Sequence, residues 1–134
     1  MQAVPDHFDH PLDAAEFRRP AHRPGVELYR AHIVRHAFAP HTHQAYGLGA
    51  IEAGVERFRY RGAEHLAPPD TLVLMNPDEL HTGQAETRGG WRYRMVYLDA
   101  PLLEQLSGEG GWWFADAVGH DAPRARRVSR LLRQ

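Results

Sequence analysis

Three histidines are the residues of this sequence best suited to chemistry. His41 and His43 stand two apart, and His81 follows a short apolar run and an Asn76-Pro77 turn. On a strand, residues i and i+2 face the same side. Two imidazoles on one face, with a third from a neighbouring strand, make a facial set of nitrogen donors for a divalent ion and leave coordination positions open. Zinc, nickel, manganese or iron fits such a set. The same side chains can instead contact an organic ligand directly, or simply hydrogen-bond to backbone and water. The chain has ten histidines and no cysteine, which excludes disulfides, thiolate metal sites and thiol nucleophiles. The other seven (His7, His10, His22, His32, His36, His65 and His120) show no paired spacing and read as surface or turn residues. Glu52, Glu56 and Glu79 lie near the three in sequence, but spacing selects none of them as a further ligand. Ser107 and Ser129 have no evident His and acid partners, and neither a phosphate-cradling glycine loop nor a paired His-Glu helix motif is present, so no catalytic residue is assigned.

The elements that must position these groups read as strands. Val26–Ile33 alternates in hydrophobicity, and residues 36–40 continue as an extended segment. Residues 41–53 are small and apolar, and Gly47, Gly49 and Gly54 mark bends or close approaches. Over residues 55–61, Phe58 and Tyr60 share one face while Arg57, Arg59 and Arg61 share the other, the pattern of a half-buried strand with a solvated side. A turn is expected at 62–64, a strand buried on both faces at 71–75, a short extended piece at 79–82 and a polar loop over 83–90. Residues 91–98 alternate Trp91, Tyr93, Met95 and Tyr97 with Arg92 and Arg94. Those aromatics predict barrel core, with one or two of them lining a pocket. Short strands joined by Gly and Pro turns predict a mostly β sandwich or barrel over 26–99.

His41 and His43, followed by Gly54 and later by Pro69, Asp70 and His81, resemble the two motifs of the cupin barrel. The glutamate of the first motif falls on Gly47, so that carboxylate is missing. A narrower resemblance runs through four stretches: Pro40-His-Thr-His43, Arg57-Phe-Arg-Tyr-Arg-Gly62, Ala67-Pro-Pro-Asp-Thr-Leu-Val-Leu-Met-Asn-Pro-Asp-Glu-Leu-His81 and Gly90-Trp-Arg-Tyr-Arg-Met95. These look like the N-terminal effector-binding domain of AraC-type transcriptional regulators. The resemblance covers about 26–99 and implies a cupin-like β-barrel or jelly roll that binds a small effector. It also implies an N-terminal arm that closes over the effector, following helices that mediate dimerisation, and a further domain that binds DNA through helix-turn-helix motifs. In such a barrel the candidate effector contacts are His41, His43, His81, Tyr93 and Trp91, and the candidate metal ligands are His41, His43 and His81.

Residues 1–25 contain Pro5, Pro11, Pro20 and Pro24 and read as an arm, with a turn of helix over 12–17. Residues 102–106 form a short helix ended by Ser107-Gly108, and Trp112, Trp113 and Phe114 lie in a loop over 110–119. Asp121 caps a second helix over 124–133 with Pro123 in its first turn. Its stripe of Val128, Leu131 and Leu132 packs on the barrel or meets a second copy, as in a homodimer. The expected division is an arm at 1–25, a barrel at 26–99 and a helical segment at 100–134, with no room for paired helix-turn-helix units. DNA binding is therefore expected of a domain outside this chain.

The 134 residues, 43% hydrophobic and 25% charged, suit one globular domain. No apolar run reaches the ~18 residues of a membrane helix, and the N-terminus carries Asp and His where an export signal is apolar. A cytoplasmic location is expected, without a membrane partner. Net charge is −1, which favours neither nucleic acid nor an anionic membrane as partner. All 16 basic residues are arginine, read as a coding bias. The expected function is a non-enzymatic, small-molecule-sensing and dimerisation domain. The alternative is a small metal-dependent cupin enzyme, a dioxygenase or an isomerase.

Overall fold

Side chains that alternate in polarity form strands wherever one face can be buried. The computed structural model describes residues 7–134 and contains β1 (Ala14–Arg18), β2 (Val26–Ile33), β3 (Phe38–His41), β4 (Ala45–Ala53), β5 (Glu56–Tyr60) and β6 (Ala63–Ala67). These are followed by β7 (Leu72–Met75), β8 (His81–Ala85), β9 (Trp91–Asp99), α1 (Ala100–Ser107), β10 (Val118–Gly119) and α2 (Ala122–Leu132). One sheet runs β1-β2-β9-β4-β7-β10 and the other β3-β8-β5-β6. All pairings are antiparallel. The two sheets enclose one core of Tyr29, Ile33, Phe58, Tyr60, Trp91, Tyr93, Met95 and their neighbours. This is the cupin-like, mostly β architecture expected.

The strand β9 behaves as its sequence predicts. Trp91, Tyr93, Met95 and Tyr97 are buried, while Arg92 and Arg94 point outward. The chain is buried on both faces of β4 because α2 covers its outer side: Ala50 and Leu72 meet Ala125, with Leu48, Leu74 and Val128 around them. Glu52 ties this layer down, accepting hydrogen bonds from Ser129, from Arg94 at 3.1 Å and from Arg133 at 3.1 Å.

Four local expectations are corrected. Residues 14–18 form a strand instead of a helical turn, because the edge of β2 offers unpaired backbone and Phe17 stacks on Tyr29 at 4.6 Å between ring centroids. The turn expected at 62–64 is the pair Arg61 and Gly62, with φ of 53° and 73°, and Ala63–Ala67 returns as a strand. Positive φ at both positions is the geometry of a tight hairpin, and it lifts Arg61 off the strand face it was assigned to. The loop expected from 83 is strand as far as Ala85, since β8 lies between β3 and β5 and its backbone must pair on both sides. Leu131 is 56% exposed, and the inner stripe of α2 consists of Ala125, Val128, Ser129 and Leu132.

Both helices begin and end as their residues dictate. Asp99 caps α1 by accepting from the Leu102 amide at 2.9 Å, and Gly108 closes it in the left-handed region at φ 77°. Asp121 caps α2 through the Arg124 amide at 3.0 Å. No helix among the described residues is long and apolar enough to cross a membrane. The part of the expected arm before residue 7 lies outside the described residues.

Candidate metal and effector site

The three histidines converge at one end of the barrel. His41 ends β3 and sits directly opposite His81, the first residue of β8, in the antiparallel register. Their ring centroids are 4.3 Å apart. His43 reaches the same place from the connection between β3 and β4, not from a shared strand face as the i, i+2 spacing predicted. A backbone hydrogen bond fixes that connection: the Asp78 amide donates to the His43 carbonyl at 2.7 Å, tying it to the turn before His81. The turn is held in place by Asn76, whose side chain accepts from the Phe114 amide at 2.7 Å and donates to the Phe114 carbonyl at 2.9 Å.

The nitrogen geometry suits an ion. One donor atom from each of His41, His43 and His81 lies within 4.8 Å of the others. The Nε2 atoms of His43 and His81 are 3.1 Å apart. Two ligand nitrogens at 2.0–2.1 Å from one ion stand roughly 3.0–3.4 Å from each other, by the geometry of such sites. His41 Nδ1 faces the Ala39 carbonyl at 2.7 Å and His81 Nδ1 faces the Glu79 carbonyl at 3.2 Å. A proton on Nδ1 satisfies each carbonyl and leaves Nε2 bare, the outer support that metal-binding imidazoles use. Burial pushes the His43 imidazole down to about 3, helped by His81 and His41. Burial also lowers His81 to about 4, with His41 adding to it. Both rings are therefore neutral at pH 7, as ligands must be. The donor set fits a divalent ion.

Behind the histidines lies a cavity of about 40 Å³. Tyr29, Phe38, Glu56, Met75, Tyr93 and Tyr97 are among its walls. Tyr93 is thus placed where the sequence reading put it, and its hydroxyl donates to Tyr29 at 3.1 Å. Trp91 is not part of the wall: it stacks behind Tyr93, with centroids 4.7 Å apart and an interplanar angle of 10°. Burial raises the Tyr29 hydroxyl to about 12 and also pushes Tyr93 and Tyr97 well above the ordinary phenol value, so all three stay neutral.

The acids that spacing left undecided separate cleanly. Glu52 is on the outer face among arginines, and Glu79 pairs with Arg61 at 2.9 Å and with Tyr60. Glu56 alone of the three lines the cavity. Its parity with Phe58 and Tyr60 on β5 was the available signal, since residues i, i+2 and i+4 share a face. Tyr29, which the sequence reading did not single out for the site, and Tyr97, one of the aromatics expected in the core or at a pocket, are inward positions of β2 and β9.

Residues 23–134 match the family described as AraC-like ligand binding domain. An uncharacterized HTH-type transcriptional regulator, YbfI of Bacillus subtilis (strain 168), is 26% identical over 89 residues, covering 63% of this chain. The chain spans about a third of that regulator's length, 32%. Among solved structures, a Cupin 2 conserved barrel domain protein from Salinispora arenicola CNS-205 aligns with TM-score 0.57 and 17% identity, over 72% of this chain and 83% of that one. KdgF from Halomonas sp. aligns with TM-score 0.55 and 15% identity, over 69% and 84%. The E162A mutant of Bacillus subtilis oxalate decarboxylase OxdC aligns with TM-score 0.55 and 16% identity, over 65% of this chain and 25% of that one. At these identities the structures establish the cupin-like barrel alone. Because the family match spans more than half of the sequence, the chain belongs to the AraC-like ligand-binding domain family.

Proposed function

We propose that the chain is the effector-sensing and dimerisation domain of an AraC-type transcriptional regulator, and that its ligand enters the barrel past His41, His43 and His81. The observation behind this reading is the three-histidine cluster opening onto an interior cavity within an AraC-like ligand-binding domain. A divalent ion, if held by His41, His43 and His81, would supply a Lewis-acidic centre for an oxygen or nitrogen of the effector. The chain's own residues orient and enclose: His41 and His81 are held by backbone carbonyls, Tyr93 and Tyr97 form the inner wall, and Trp91 backs Tyr93.

The arm at 1–25 would report occupancy. Its strand β1 lies on β2, whose inward residue Tyr29 is part of the cavity wall. A ligand favouring one position of this strand shifts the population toward it. The helical segment at 100–134 would pair two copies, and a domain outside this chain would bind DNA in the cytoplasm.

Elemental mass spectrometry of the untagged protein, with His81→Ala as control, tests the metal. Near one ion per chain, lost in the variant, is the expected result. Hydrogen exchange at Ala14–Arg18 during a small-molecule thermal-shift screen tests sensing. A stabilising compound that also alters exchange in β1 supports the reading, and the absence of any such compound refutes it. Consumption of the bound compound would instead favour the metal-dependent enzyme, for which the three-histidine cluster beside the cavity speaks.

A further inference from the structure

The barrel cavity is walled by one carboxyl group and no arginine, in a chain with 16 basic residues, all arginine. That carboxyl belongs to Glu56, which is 7% exposed and whose side chain makes no hydrogen bond or ion pair with another described residue. Its Oε2 lies beside Gly83, where a Cβ would stand 3.0 Å away. Gly83 therefore leaves the carboxyl uncovered within the barrel. Rings of Tyr29, Tyr93, Tyr97 and Phe38 share the cavity wall with it. A buried carboxyl without a partner is costly to ionise, and nothing in the packing of β5 requires one at this position. A cation entering the cavity would meet a carboxyl in a wall of aromatic side chains, and both kinds of group can attract positive charge. An anion would meet the same groups without a cationic side chain to offset them.

We propose that Glu56 is the inner anchor of an ammonium subsite, seating the protonated amine of a small organic effector between its carboxyl and the rings of Tyr29, Tyr93 and Tyr97. This rests on the effector-sensing reading and names the chemical class of ligand. The cavity of about 40 Å³ admits only a few atoms, an amine head with a carbon or two, so the rest of the molecule extends past the histidines toward solvent. His41 is the member of the triad that is partly exposed, which marks the way in. The three histidines line the same cavity, and the subsite uses none of their nitrogen atoms.

Calorimetric titration of the full chain with ethanolamine, ethylene glycol and glycolate tests this with three molecules of similar size and different charge. At constant ionic strength ethanolamine binds, and the glycol and glycolate do not. Glu56→Gln weakens ethanolamine at least about tenfold, the loss expected for one buried charge-assisted hydrogen bond. Gly83→Ala keeps the carboxyl, fills the space beside it and also weakens binding; it decides the matter if Glu56→Gln does not fold. No ethanolamine binding to the native sequence overturns the proposal, as does unchanged affinity in Glu56→Gln. Binding of glycolate or the glycol in place of ethanolamine overturns the subsite and leaves the sensing role standing. Failure of all three, together with a screen that finds no compound altering β1, overturns both.

Discussion

Replacing Glu56 with glutamine keeps the shape of the side chain and removes a titrating group from the barrel interior. Burial raises the Glu56 carboxyl from 4.5 to about 8. Tyr29 on β2 and Tyr93 and Tyr97 on β9 share the cavity with it and remain neutral well above pH 8, and His41, His43 and His81 occupy the mouth. Because the folded value lies above the unfolded one, the native state holds a proton that the unfolded chain releases between those two pH values. This contribution to stability is fully present below pH 4.5 and is lost as pH rises to about 8. At about 1.4 kcal/mol per pH unit, the loss between pH 5 and pH 8 has a ceiling of roughly 4 kcal/mol. Glutamine has no such dependence, and the histidine contributions are common to both proteins and cancel in the difference. Urea unfolding of both proteins at pH 5, 6, 7 and 8 measures it. The variant gains on the native sequence steadily as pH rises, by at least about 1.5 kcal/mol over the range. A difference that stays within about 0.5 kcal/mol, or runs the other way, refutes the reasoning that the carboxyl is buried without a partner.

Three further outcomes follow from the packing. Glu52→Ala removes the acceptor that joins Ser129, Arg94 and Arg133; with the arginines partly exposed it costs about 2–3 kcal/mol in urea unfolding and loosens hydrogen exchange in α2. Asp13→Ala frees the backbone amides of Val34, Arg35 and His36 that its carboxylate now accepts from, for a loss of about 1.5–3 kcal/mol. Burial raises the Asp13 carboxyl but those amides outweigh it and hold it below 3.8, so its contribution is present above that pH, is lost as pH falls through the lowered native value, and vanishes from the acid-unfolding difference between native and variant. Gly49→Ala would drive a Cβ into the Arg94 carbonyl and the Met95 sulfur, and the expected drop is more than about 2 kcal/mol in chemical unfolding; an unchanged midpoint would show that β4 and β9 can separate at that point.

The order of elements was legible because polarity alternates in it. The strands at 26–33, 72–75 and 91–99 each show a period or an apolar run that one local rule interprets. The caps at Asp99 and Asp121 involve neighbours three residues away, so local sequence is enough to specify them. Asp121 and its helix were anticipated on that basis. The strands at 14–18 and 63–67 were not, because their pairing depends on edges supplied by β2 and β5. A polar segment becomes strand when its backbone amides have no other partners.

The same division holds at the site. Sequence alone singled out His41, His43 and His81 by residue type and spacing, and Tyr93 by its place in an alternating run. Their meeting point was decided by tertiary structure: the register sets His41 opposite His81, and the Asp78 amide draws the His43 connection toward the turn before β8. Tertiary structure also separated the acids, sending Glu52 to the outer arginines and Glu79 to Arg61 while leaving Glu56 inside. Residue type determines what a side chain can do chemically, and it is encoded locally. Which groups share a low-dielectric cavity depends on strands far apart in the chain closing around it, and no local pattern specifies that closure.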